Sequence, residues 1–188
     1  MLIRYLTLRY SLWNFWMLRK ASKGSSLKIR GPLWVSQKGE FTIGTNVTIN
    51  SDYRANPVGV GSKTQFIIRS GAQLQLGNNI GISNTSFFCA QAITIEDHAL
   101  IGNGCMIWDS DFHPINHSER MANPNSGYKS KPIVIRQGAF IGGSTIILKG
   151  VEIGERAVVG AGSVVTRSIG PDELWAGNPA VFIRKINE

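Results

Sequence analysis

The amino-acid sequence predicts an all-β fold in which short strands and tight turns wind into stacked parallel coils, and three observations carry that reading. An aliphatic residue returns at every sixth position from Ile135, at Ile141, Ile147, Ile153, Val159 and Val165. Four places after each aliphatic from Ile135 to Val159 stands a small or β-branched residue: Ala139, Thr145, Val151, Ala157 and Ser163. Glycine is plentiful at 21 residues while proline is held to 7. Without a Gly-X-Y period, that balance points to many tight turns rather than to collagen or a linker.

A period of six fits neither an amphipathic helix nor a single long strand. It fits one short strand plus one turn, repeated as a unit. Three units close a triangular coil, and coils stack so that like residues lie on like. The aliphatic faces the narrow, dry interior, and the small residue fits near a corner. Stacking pairs each backbone N–H and C=O with the neighbouring coil, so buried polar groups are satisfied. The frame reaches back through Ile107, Ile101-Gly102 with Cys105, and Ile95 with Ala99. A weaker form runs through Ile43-Gly44, Val47, Ile49, Leu76-Gly77 and Ile80. It breaks twice, over residues 50–65 and 108–132. Loops this long cost closure entropy and usually serve function. The second one carries His113 and His117, two of the 3 histidines.

Net charge is +8. That balance suits solubility or an anionic partner, but basic residues are not interleaved with aromatics outside the N-terminus, and no nucleic-acid partner is expected. Cys89 and Cys105 form no CxxC pair, which excludes a zinc knuckle; both lie among apolar residues and read as buried free thiols of a reducing compartment. Residues 1–18 are apolar and aromatic. Arg4 and Arg9 interrupt any signal-peptide core, and the stretch is too short and too charged for a membrane span. Arg4, Thr7, Ser11 and Asn14 recur at helical spacing and make one narrow polar stripe. The expected helix either caps the open end of the core or lies on an anionic membrane beside Arg19, Lys20 and Lys23; one helix can do both. Residues 1–40 are therefore expected to be an amphipathic helix and lead-in, 41–170 the coiled domain, and 171–188 a tail.

The run from Ile141 to Arg167, followed by Trp175-Ala-Gly-Asn-Pro-Ala180, resembles the hexapeptide-repeat acyltransferases. Within them it is similar to the sugar and polysaccharide O-acetyltransferases related to galactoside and maltose acetyltransferases. The resemblance covers about Phe41 to Ile186 and is strongest from Thr94 onward. It implies a left-handed parallel β-helix with a protruding loop. The left hand is not deducible from the period, since parallel crossovers are almost always right-handed. It also implies acetyl-CoA as donor, a homotrimer, a cytoplasmic location and a sugar acceptor in surface-polysaccharide or glycolipid assembly.

Acetyl transfer from a thioester to an alcohol requires a base for the hydroxyl, stabilisation of the oxyanion, and two substrates held together. A neutral imidazole suits the first task. His113, in Asp109-Ser-Asp-Phe-His-Pro114, resembles the family's catalytic histidine. Asp111 lies two residues earlier and, on an extended chain, shares its face, so it is the expected orienting carboxylate; Asp109 is the alternative. Trp108, Asp109 and Asn84 are expected near the acceptor. On the donor side the resemblance implies Phe140 as an aromatic wall, Gly143 and Ala161 along the pantetheine arm, Thr166 and Arg167, and Arg184 toward the phosphates. Val181 stands where a second basic residue is frequent. His98 reads as an exposed turn residue and His117 as a loop residue. The same architecture hosts zinc enzymes with three histidine ligands, but His98 sits a coil away and the zinc signature is missing, so no metal is expected. No Gly-x-Ser-x-Gly elbow supports an acyl-enzyme. Acetylation of an amine on the same scaffold, or a non-catalytic scaffold, are the competing readings.

Overall fold

The computed structural model describes residues 2–52, 55–56, 58 and 63–186, with side chains described from Tyr10 onward. The interruption expected over residues 50–65 lies partly outside them. The chain winds as a left-handed parallel β-helix with three flat faces. The first sheet stacks strands Ser22–Lys23, Glu40–Ile43, Gln73–Leu76, Ala92–Ile95, Ile133–Ile135 and Glu152–Ile153. The second contains Lys28–Arg30, Thr48–Asn50, Gly81–Ser83, Leu100–Ile101, Phe140–Ile141 and Val158–Val159, and is extended by Glu173–Gly177 and Ala180–Lys185. The third stacks Trp34–Gln37, Gln65–Ile68, Ser86–Cys89, Met106–Trp108, Ile146–Ile147 and Val164–Val165.

The hexad frame is the register. Ile135 pairs with Ile153, Ile141 with Val159 and Ile147 with Val165, so each coil repeats after three hexads. All six side chains are fully buried, as are Ala139, Thr145, Ala157 and Ser163 at the corners. Toward the N-terminus Phe41, Phe66 and Phe87 fill the interior, with ring centroids 4.9 and 5.0 Å apart along the stack. Glycine after the aliphatic answers a close approach: a Cβ at Gly142 would lie 2.5 Å from the backbone nitrogen of Ala161 in the next coil. The turns between the first and second sheets also carry left-handed residues, among them Asn46, Asn79, His98, Gly138, Arg156 and Asp172. His98, at φ 63° and exposed, is therefore a corner residue.

Coiling begins at Ser22, well before residue 41. The first coil is covered by a neighbour on one side only, so Leu27, Ile29 and Val35 are only partly buried and Lys28 and Arg30 point outward, which blurs the hexad pattern. Residues 173–185 form an antiparallel hairpin whose first strand pairs with Val158–Val159, so the tail closes the far end of the coil.

Helix Leu2–Met17 caps the near end; of its expected polar stripe Ser11 is exposed, whereas Asn14 turns inward. Asn14 is buried: its amide donates to the Gly31 carbonyl (2.9 Å) and its oxygen accepts from Leu33 N–H (2.8 Å). Trp13 Nε1 donates to the Leu33 carbonyl at 2.7 Å, and Met17 and Leu18 join the buried face. The reason is physical: the first coil has no coil beneath it, so its open backbone groups need polar partners, and an asparagine supplies both a donor and an acceptor. Arg4 and Thr7 lie outside the described side chains.

Cys89 and Cys105 are free and buried. Burial pushes the Cys89 thiol up to about 12 and the Cys105 thiol up to about 11. Since the thiolate is the reactive form, iodoacetamide at pH 8 is expected to label neither in the native protein and both after unfolding. Rapid native labelling of either would contradict this packing.

Candidate active site

The second interruption leaves the coil after Trp108, at the corner between the third and first sheets, and rejoins it at Ile133. Its neck is zipped. Lys131 N–H donates to the Asp109 carbonyl, Asp111 N–H to the Lys129 carbonyl, and Ser110 and Ser130 form an antiparallel bridge. Within the loop, helix His117–Ala122 starts at Asn116, whose side chain accepts from Glu119 N–H. Arg120 donates to the carbonyls of Pro114 and Ile115 at 2.9 and 2.8 Å, folding the helix back onto the chain after His113.

His113 is exposed, and its Nδ1 lies 2.6 Å from the carbonyl oxygen of Pro124. A carbonyl only accepts, so Nδ1 carries the proton in that contact. The neutral ring then has its lone pair on Nε2, free to take a proton. Asp111 does not orient the ring as expected from its spacing. Its carboxylate pairs with Lys149 Nζ at 2.9 Å, both half-buried, which ties the loop to the next coil. The backbone between Asp111 and His113 is turned rather than extended, with Phe112 at φ 63°, so the assumed common face does not exist.

Asp109 is neither an orienter nor exposed to an acceptor. Its side chain is fully buried, Oδ1 accepting from Ala90 N–H (2.6 Å) and Oδ2 from Gln91 and Ala92 N–H (2.7 and 2.8 Å). Burial pushes its carboxyl above the ordinary range, while the three amides pull the other way. It bolts the neck of the loop to the coil below.

Trp108 is partly buried on the outward face of the third sheet, beside its register partner Phe88. Asn84 is buried at the turn from the second to the third sheet. That turn is one residue shorter than the one above it, since Gly81 stacks on Leu100 and Ser86 on Met106. Asn84 takes φ 42° there and its N–H donates to the Asn50 carbonyl.

The residues expected at the donor are spread over the second sheet and the two corners of the third. Gly143 and Ala161 stand at its corner with the second sheet, and around Gly162 a Cβ would meet nothing within 4 Å, so that corner leaves backbone open to a narrow chain. Phe140 is 44% exposed on the adjoining strand. Thr166 and Arg167 are exposed beyond Val165, at the corner from which the loop springs, and Arg184 and Val181 are exposed on the terminal hairpin. Among the described residues no three of His, Cys, Asp and Glu gather as a metal ligand set.

Sequence reasoning missed Phe88, Phe112, Pro124 and Lys149. Lys149, in Leu-Lys-Gly, reads as a solvated turn, and nothing in the local sequence marks the Pro124 carbonyl.

Residues 132–167 match the bacterial transferase hexapeptide family (six repeats). The galactoside O-acetyltransferase of Escherichia coli is 34% identical over 119 residues, 63% of this chain and 57% of that protein. The chain thus spans a little over half (57%) of the length of its Staphylococcus aureus and Escherichia coli relatives. Among solved structures, the hexapeptide-repeat acetyltransferase of Vibrio cholerae complexed with acetyl-coenzyme A superposes with a TM-score of 0.64 at 26% identity, over 97% of this chain and 78% of that one. A galactoside acetyltransferase in complex with coenzyme A gives 0.61 at 27% identity, over 88% and 65%. Residues 132–167 thus carry a repeat matching that of the hexapeptide transferases, and the coils around them share the architecture of solved hexapeptide-repeat acetyltransferases.

Proposed function

We propose that the protein is an acetyl-CoA-dependent O-acetyltransferase acting on a sugar hydroxyl of a surface-polysaccharide or glycolipid precursor in the cytoplasm. The observation that carries the reading is the His113 ring, exposed at the mouth of a braced loop with its Nδ1 proton held by the Pro124 carbonyl. Nε2 takes the proton as the hydroxyl oxygen bonds to the acetyl carbon, the C–S bond then breaks, and the proton passes to the leaving thiolate. The ester forms by direct attack with both substrates bound. The small residues Gly143 and Ala161 suit a pantetheine arm, Phe140 its wall, and Thr166, Arg167 and Arg184 the polar and anionic parts of the donor. Trp108 borders the acceptor; Asn84, buried at the opposite corner of the third sheet, does not reach it. The exposed apolar residues Leu100, Met106 and Phe140 suit association into a trimer, with the donor lying between subunits.

Purified protein, acetyl-CoA and a panel of glycosides and amino sugars test this. Free thiol should appear with a glycoside, and the acetylated product should be cleaved by hydroxylamine as an ester is. An amide product, or no thiol with any acceptor, would overturn it.

The outward face of the N-terminal helix supports contact with an anionic lipid surface. Leu12, Phe15 and Trp16 are 70, 73 and 53% exposed. Arg19 stacks on Trp16 at 4.2 Å, and Lys20 and Lys23 follow. An apolar, aromatic face beside cations suits the interface between headgroups and acyl chains. Among the described residues no helix is long and apolar enough to cross a membrane. Changing Leu12, Phe15 and Trp16 together to serine spares the capping contacts of Asn14 and Met17. The triple variant is expected to lose sedimentation with phosphatidylserine vesicles while melting as the wild type does; undiminished binding would rule the contact out.

A further inference from the structure

Each residue of the run from Asp109 to His113 is tied to a different part of the molecule. The Asp109 carboxylate holds residues 90–92, Ser110 bridges Ser130, Asp111 pairs with Lys149, and His113 reaches Pro124. Phe112 differs in kind. Its φ is 63°, and His113 N–H donates across it to the Asp111 carbonyl at 2.7 Å, closing a three-residue turn. Such turns are rare and strained, and a bulky residue in the left-handed region is an outlier. Glycine would adopt this conformation freely, yet the chain carries a phenylalanine.

Its ring supplies the reason. It packs on Phe88 with centroids 4.6 Å apart at 58°, and on Trp108 at 6.0 Å and 59°. Tilted contacts of this kind are favourable aromatic geometries. Phe88 and Trp108 are register partners on adjacent strands, so they form a fixed floor belonging to the coil, not to the loop. Ser110 Oγ also accepts from Phe112 N–H at 3.2 Å.

We propose that Phe112 is a positioning residue: its ring, seated on Phe88 and Trp108, holds the strained turn that sets the direction in which His113 leaves the backbone, and so brings Nδ1 onto the Pro124 carbonyl. This rests on the reading of His113 as the base. An aromatic at the αL position links base and scaffold through two side-chain contacts, where glycine would leave the turn free to relax. A misplacement of about 1 Å can lower a rate by about 10²-fold.

The test compares Phe112→Ala, Phe112→Gly, Phe112→Tyr and Phe88→Ala, with ¹⁵N-labelled histidine. Phe112→Ala is expected to lower kcat by roughly 10- to 100-fold with KM for acetyl-CoA unchanged. Its His113 ring nitrogens should move from a single Nδ1–H tautomer toward a mixture. Phe112→Gly, which relieves the strain but loses the anchor, should fall between alanine and wild type. Phe112→Tyr should restore both rate and tautomer. Phe88→Ala should reproduce most of the defect and add little to Phe112→Ala, because the Phe88–Phe112 contact is lost in both. Wild-type turnover and unmoved ring shifts in Phe112→Ala would overturn the proposal. Equal losses in the alanine and tyrosine variants with unmoved shifts would do so too. If His113→Ala keeps its activity, the base reading fails instead, and the nitrogen shifts of Phe112→Ala still report whether the ring is positioned.

Discussion

Replacing His113 by alanine is expected to lower kcat by roughly two to four decades, the usual contribution of a positioned general base. The donor does not depend on the imidazole for binding in this reading, so KM for acetyl-CoA should change little. That split separates loss of proton transfer from loss of the loop. The variant's residual rate should come only from holding the two substrates together. Initial rates over a range of donor concentrations measure kcat and KM. The melting temperature should hold, since the ring is exposed and its partner, the Pro124 carbonyl, can bond to water. A variant turning over at the wild-type rate would hand the proton to another group.

The coil was legible in the sequence because its physics is local and repeated. One aliphatic per hexad, one small residue four places on, and glycine where backbones touch describe each coil without reference to distant residues. The first coil escaped because it lacks a neighbour on one side, and its partly buried Leu27 and Ile29 alternate with lysine and arginine. The N-terminal helix was legible as a helix, but the inward turn of Asn14 was not. Polarity alone sends Asn14 to water, whereas the open backbone at Gly31 and Leu33 draws it inward. His113 stood out by its type and its place after Ile107. Its partner did not, because Asp111 was paired with it on the assumption of extended backbone. A left-handed phenylalanine breaks that assumption, and nothing in the residue type signals it. The contacts that settle the matter, Lys149 to Asp111 and Pro124 to His113, join residues from separate coils or from opposite sides of the loop.

Changing Asp109 to asparagine, a substitution that alters shape hardly at all, is expected to be the most destabilising conservative change in the loop. Both carboxylate oxygens are committed as acceptors, one to Ala90 and the other to Gln91 and Ala92. An amide keeps one oxygen and turns the other into a donor, so whichever way it flips at least one backbone N–H faces an N–H. A buried donor without an acceptor costs about 1–3 kcal/mol, and the remaining bonds lose their charge assistance. A loss of about 3 kcal/mol corresponds to a fall in Tm of roughly 6–12 °C for a chain of this size. Activity should fall with it, because Lys131 N–H hangs on the Asp109 carbonyl and Ser110 bridges Ser130 at the same neck. Loosening that neck loosens the base four residues further on. Glutamate keeps the charge but adds a methylene in a fully buried site, so it should rescue neither property. Thermal melts with rates measured well below Tm distinguish a loosened loop, where kcat drops in protein that is still folded, from simple unfolding. If Asp109→Asn melts with the wild type, the three amides have found water or other acceptors, and the loop is held by Lys149 and the backbone bonds of its neck.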